Sequence, residues 1–242
     1  MKRIPNIVLN ENEFKSLISY GRFATGGEAI ICKGNNPNTL YKIFEYCGKP
    51  KPMGENKENK IIELYNKKID YTVKPLSTIS YNNIIIGYEM THDYNLKSYK
   101  TYELNREELI YFLKETKRIL EYFTNNEIIY GDLEPRNILF NKNNGEIKYC
   151  DIDNIHINNY TFDKLPNSLI EYKMRRGIDY GINPYMHNLM TLRALDLDLY
   201  FNIKSSLKKL INKKGRNIIK SMIEPLDFKN KYIIDNIKIL NK

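Results

Sequence analysis

Residues 128–140 read IIYGDLEPRNILF. Asp132 and Asn137 stand five apart in a polar loop, an apolar segment flanks them on either side, and Pro135 stiffens the turn between them. A carboxylate and an amide held in one loop suit a shared task. The carboxylate accepts a proton or orients a hydroxyl, and the amide oxygen ligates a metal. A bare D-x-x-x-x-N would be noise, but the flanking sequence makes this one specific.

Downstream, IKYCDIDN at 147–154 is a short strand that follows the turn Asn143-Asn144-Gly145 and ends in Asp151 and Asp153. Carboxylates at the end of an apolar strand suit Mg²⁺, a hard cation that prefers oxygen ligands; the plainer alternative is a surface turn. Upstream, LYKIF at 40–44 reads as a strand with Lys42 at its centre. A charge amid Leu40, Tyr41, Ile43 and Phe44 is costly unless it meets a counter-charge or a ligand, although strand alternation alone could turn it to solvent. Further upstream, ATGGEAIICKG at 24–34 puts Gly26 and Gly27 in a turn between two strands. Glycine lets backbone N–H groups close over a phosphate with no Cβ in the way; on its own, such a pair marks an ordinary hairpin.

The chain has 242 residues, 42% of them apolar and 28% charged. That is globular composition, and a chain of this length buries roughly 70% of its unfolded surface. Disulfide scaffolds, collagen-like chains and disordered chains are excluded. Cys32, Cys47 and Cys150 are an odd number without metal-site spacing, so they read as reduced thiols of a cytoplasmic protein. The opening MKRIPNIVLNENEF has too short an apolar run for a signal peptide, and no stretch approaches a membrane span. Lys and Arg number 38 against 29 Asp and Glu, a net charge of +9. Much of the excess lies in residues 203–242, opposed only by Glu224, Asp227 and Asp235. Such a face attracts an acidic partner or nucleic acid. The alternative is a solvated surface, since few aromatics interleave with the charges as stacking would need.

Apolar runs at Leu17–Tyr20, Ala29–Cys32, Leu40–Phe44, Leu76–Tyr81 and Ile84–Met90 predict strands, punctuated by Gly26-Gly27, Asn35-Asn36-Pro37 and Asn82-Asn83. The last pair predicts a two-residue hairpin loop. One helix interrupts the series over ENKENKIIELYNKK, with Glu58, Ile62 and Tyr65 on one face. From Arg106 the period becomes helical: Ile110, Leu113, Lys117, Leu120 and Phe123 track one side of a long helix ending near Asn125-Asn126. A further stripe runs from Ile203 through Leu207, Leu210 and Ile218 to Met222. A small β-rich part therefore precedes a larger helical part, with the crossover near 88–96.

These elements, in this order, resemble the protein-kinase-like superfamily over most of residues 17–200, with a more distant similarity to the aminoglycoside and choline phosphotransferases. The resemblance implies an α+β, bilobal protein-kinase-like fold. Residues 1–91 would form a small antiparallel β-sheet N-lobe with one helix, and residues 92–242 a larger helical C-lobe. It further implies that ATP and Mg²⁺ are the cofactors. Gly26 and Gly27 belong to the glycine-rich loop, where Ala24 and Ala29 replace the family's first and third glycines. Lys42 matches the strand lysine that holds the α- and β-phosphates, with Glu58, or else Glu63, as its helix partner. Within IGYEMTHDYNL, Tyr88 is the gatekeeper, and Glu89 to Thr91 form the backbone segment facing adenine. Asp132 becomes the catalytic base, and Asn137 and Asp151 the metal ligands.

The chain also departs from that pattern. Tyr130-Gly131 replaces His-Arg, Glu134 stands where serine/threonine kinases carry a lysine, and Asp153 replaces the glycine after the metal-binding Asp. Arg136 could supply the missing cation. No Ala-Pro-Glu motif follows Asp151. Three functions fit: transfer of the γ-phosphate to a serine or threonine hydroxyl of a protein substrate, transfer to a small molecule, or nucleotide binding by a pseudokinase acting as a regulatory module. Retention of Lys42, Asp132, Asn137 and Asp151 together favours an enzyme.

Overall fold

A computed structural model describes residues 3–99, 103–130 and 135–157. Asp132, Gly131, Glu134, the stripe beginning at Ile203 and the basic stretch 203–242 lie outside the described residues. The architecture is mixed α and β with a mostly antiparallel sheet, and the chain divides between Leu96 and Lys97 into two compact units. No helix among the described residues is long and apolar enough to cross a membrane.

The first unit runs β1 (Asn6–Leu9), α1 (Glu11–Tyr20), β2 (Arg22–Thr25), β3 (Ala29–Lys33), β4 (Thr39–Tyr46), β5 (Lys49–Pro50), α2 (Glu55–Lys67), β6 (Pro75–Tyr81) and β7 (Ile84–Thr91). The sheet order is β1-β6-β7-β4-β3-β2, with β5 paired to β4. Only β1 and β6 pair in parallel; the other pairings are antiparallel. Asn82 and Asn83 both adopt positive φ (48° and 61°) between the paired residues Tyr81 and Ile84. That is the left-handed two-residue turn whose twist matches a hairpin, and asparagine tolerates it well.

Leu17–Tyr20 is not a strand. It is the last part of α1, so the sheet carries two helices rather than one. A reciprocal capping box starts α1: the Glu13 N–H donates to Asn10 Oδ1 at 3.0 Å, and the Asn10 N–H donates to Glu13 Oε2 at 2.8 Å. Phe14, Leu17 and Ile18 then share one helix face. They pack on a core that includes Leu9, Ile30, Cys32, Tyr41, Ile43, Ile79 and Ile86. The Phe14 ring stacks on Tyr81 with centroids 4.7 Å apart. All three cysteines are free thiols, and burial pushes that of Cys32 up to about 11.

α2 forms where expected, but its deeply buried residues are Ile61 and Leu64. Glu58, Ile62 and Tyr65 are only half-buried, because the helix turns its inner face one residue to the side of the expected stripe.

The second unit contributes β8 (Lys97–Ser98), α3 (Arg106–Asn125), β9 (Ile128–Tyr130), β10 (Ile138–Phe140), β11 (Ile147–Tyr149) and β12 (Ile155–Ile157). Two small sheets, β11-β10-β8 and β12-β9, therefore sit within the part expected to be helical. A second capping box, Asn105 with Glu108, starts α3. Its buried stripe is Leu109, Phe112, Leu113, Thr116, Ile119, Leu120 and Phe123, a seam at helical spacing. Lys117, expected on that side, instead lies half-buried and 3.6 Å from Glu121. Thr116 takes the inner position because its hydroxyl donates to the Phe112 carbonyl at 2.6 Å, which satisfies the polar group inside the seam.

Candidate functional site

In the first unit Lys42 and Tyr88 share one sheet face. Cross-strand partners share a face, and the register runs Ile31↔Lys42↔Tyr88↔Thr78 across β3, β4, β7 and β6. The opposite row, Ile30↔Ile43↔Gly87↔Ile79, belongs to the core under α1. Both faces of β4 are covered: every residue from Thr39 to Phe44 is buried, and Lys42 is only 9% exposed. Lys42 is thus a buried lysine and not a solvent-facing one. Its ammonium lies 5.5 Å from the centroid of the Phe44 ring, two residues along on the same face.

Gly87 makes this arrangement steric as well as electrostatic. A Cβ there would drive into the carbonyl oxygen of Lys42, so glycine lets β7 approach the strand that carries the lysine.

The turn between β2 and β3 closes through the Gly26 N–H, which donates to the Ala29 carbonyl at 2.8 Å. Neither Gly26 nor Gly27 has a positive φ. A Cβ on Gly27 would meet nothing within 4 Å, and one on Gly26 would only touch the Ala29 carbonyl at 3.4 Å. Among the described residues, chain conformation and packing therefore leave the two glycines unexplained, whereas an approaching ligand would explain both.

The structure does not pair Lys42 with either acidic candidate on α2. No ion pair joins Glu58 to Lys42 among the described residues, and Glu63 pairs with Lys67 at 3.0 Å one helical turn away. The ion pair that ties α2 to the glycine-bearing turn is Lys57 with Glu28, at 2.5 Å. The Lys57 ammonium also lies 4.7 Å from the Phe44 ring centroid. Glu28 and Lys57 went unremarked in the sequence, where the only available signal was their charge beside Gly27 and Glu58.

Tyr88 is fully buried in register with Lys42. Glu89 lies on the opposite face, paired with Tyr41, and its carboxylate accepts from the Ser77 hydroxyl at 3.0 Å. The Thr91 N–H donates to the Lys74 carbonyl at 2.9 Å, so this donor of the supposed adenine-facing segment is engaged inside the sheet. Just beyond, His92 packs edge-on against Phe23 and Tyr94. Burial lowers its pKa from the ordinary value, and the Asp93 charge partly opposes the shift.

In the second unit, β10 and β11 pair antiparallel with Ile138 opposite Tyr149, and a further backbone bond follows. The Cys150 N–H donates to the Asn137 carbonyl at 2.9 Å, and Asp151 is the next residue along the chain. The Asp151 carboxylate accepts from the Asn154 side-chain amide at 2.6 Å. Asp153 is buried, and Arg136 is exposed in a short 3-10 turn with Asn137. β9 and β12 pair antiparallel with Tyr130 opposite Ile155. Among the described residues, no three His, Cys, Asp or Glu side chains gather as a ready-made metal cluster. No family model matches the chain, and no curated protein matches it.

Proposed function

We propose that the protein is an ATP- and Mg²⁺-dependent phosphotransferase of the protein-kinase-like kind, moving the γ-phosphate of ATP to a serine or threonine hydroxyl of a protein substrate. One observation carries the reading: Lys42 is buried on the sheet face behind a turn whose two glycines answer to no internal need. A buried ammonium calls for an anion, and an open glycine turn lets backbone N–H groups reach a phosphate.

Phosphoryl transfer asks little covalent chemistry of a protein. It asks for alignment and for charges that offset those of the phosphates. In this reading Lys42 holds the α- and β-phosphates, and Gly26 and Gly27 bring backbone amides over them. Asp132 orients the acceptor hydroxyl and takes its proton. Asn137 and Asp151 would hold the metal. Their donor set, an amide oxygen and a carboxylate on neighbouring strand ends, is all oxygen and suits a hard cation. When bound, Mg²⁺ supplies neutralisation of the phosphate charge. A reaction that consumes ATP in a protein with reduced thiols belongs in the cytoplasm.

The test is incubation of the purified chain with γ-labelled ATP and Mg²⁺, with and without a mixed lysate. Label on protein supports the reading. Label on a metabolite would transfer it to the small-molecule kinases, and no transfer with intact Mg·ATP binding would leave a pseudokinase.

A further inference from the structure

The glycine-bearing turn carries its own anion. Glu28 follows Gly27 directly, and its carboxylate reaches the Lys57 ammonium on α2 at 2.5 Å across 29 residues of sequence. Lys57 and Lys42 both converge on the Phe44 ring, at 4.7 and 5.5 Å from its centroid. Two ammonium groups thus flank one ring, and one of them holds the carboxylate that follows Gly27, where a Cβ would meet nothing within 4 Å among the described residues.

We propose that Glu28 is an internal counter-anion, and that the polyphosphate tail of a nucleotide displaces it and recruits Lys57 as a second phosphate-binding cation. The inference rests on the nucleotide reading above and adds to it a residue and a means of regulation. An unliganded turn is held down on α2, and a bound polyphosphate frees Glu28 to solvent. The exchange is favourable on elementary grounds. The Glu28 side chain is 65% exposed, and a pair so placed is weak and screened by water. A polyphosphate brings several charges and more acceptor oxygens to the same ammonium, and such charge-assisted bonds are the stronger kind. The Lys57 ammonium already rests over the Phe44 ring, a cation–π contact that limits the side-chain freedom still to be lost when the partner changes.

The experiment measures affinity for Mg·ATP, adenosine and inorganic tripolyphosphate by calorimetry, in wild type and in Glu28→Gln, Lys57→Met, Lys57→Arg and the double variant Glu28→Gln/Lys57→Met. Methionine removes the charge but keeps an unbranched chain of similar length, and thermal melts establish that each variant is folded. Glu28→Gln should tighten Mg·ATP severalfold, and Lys57→Met should weaken it about tenfold, the scale of one charged hydrogen bond. Adenosine affinity should not move, and Lys57→Arg should stay near wild type. The double variant should bind no tighter than Lys57→Met alone, because without the Lys57 ammonium there is nothing for the Glu28 carboxylate to block. If wild type binds Mg·ATP and the variants match it, or if adenosine and Mg·ATP change together, the exchange is overturned while the nucleotide reading stands. If tripolyphosphate follows the expected order but Mg·ATP binds no tighter than tripolyphosphate, the exchange stands and the nucleotide reading falls. Binding of neither by wild type overturns both.

Discussion

The Nε2 of His92 is buried without a hydrogen-bond partner, between the rings of Phe23 and Tyr94. Its pKa is therefore lower in the folded chain than in the unfolded one, the Asp93 carboxylate only partly offsetting burial. The sign follows from linkage. As pH falls through about 6.5 the unfolded chain takes up a proton on this residue, and the folded chain takes it up only at lower pH. Stability from neutral His92 is thus fully present above that value and declines as pH falls towards the folded pKa. Urea unfolding at pH 7.5 and 5.5 should show a larger loss in wild type than in His92→Asn. Equal losses in the two proteins would mean that the ring titrates freely. Lys42 shows a related limit of reading single residues. Period-two alternation left its side chain either buried or exposed, and only the covering of both faces of β4 settles the matter.

β4 and β7 owe their close approach to Gly87, which sits opposite Ile43 and against the backbone of Lys42. Gly87→Ala should destabilise the chain by about 1–3 kcal/mol, the usual range for overpacking. It should also displace the strand bearing the lysine, so that Mg·ATP affinity falls even at temperatures where the variant is fully folded. Retention of wild-type melting temperature and affinity would show that β7 has room to spare. At this scale most of the β-rich part was readable. Strands β3, β4, β6 and β7 and the Asn82-Asn83 turn follow from apolar runs and turn residues, which are local signals. α1 was readable too, but through a different signal from the one used. The apolar run Leu17–Tyr20 suggested a strand, whereas Asn10 with Glu13 and the spacing of Phe14, Leu17 and Ile18 specify a capped helix. The inner faces of α2 and α3 were each placed slightly off because hydrophobic spacing alone does not say which neighbour of a stripe meets the core. Thr116 goes in and Lys117 stays out through a hydrogen bond and an ion pair that no periodicity encodes.

Across the whole chain, the candidate residues separate by what kind of contact defines them. The hairpin that sets Asn137 against Cys150, the residue before Asp151, was readable because its strand pairing is local. The proposed Lys42–Glu58 pair was not, since it depends on how a helix packs on a sheet, and there Glu28 and Lys57 take the prominent ion pair. The proposed activity makes separable demands on the residues. Lys42→Met removes the buried ammonium while keeping an unbranched chain of similar length. Binding of Mg·ATP stabilises a folded protein by mass action, about 2.7 kcal/mol at a hundredfold excess over Kd, and the melting temperature reports it. Lys42→Met and Asp151→Asn, each compared with its own unliganded melting temperature, should lose most of the Mg·ATP-induced rise and lower transfer by two or more orders of magnitude. Asp132→Asn should keep the rise and lose transfer, because orientation of the hydroxyl and removal of its proton act on the acceptor, whereas phosphate and metal binding do not need that carboxylate. A full rate of label transfer by Asp132→Asn would remove this residue as the base. A melting temperature unmoved by millimolar Mg·ATP in wild type would instead count against nucleotide binding itself.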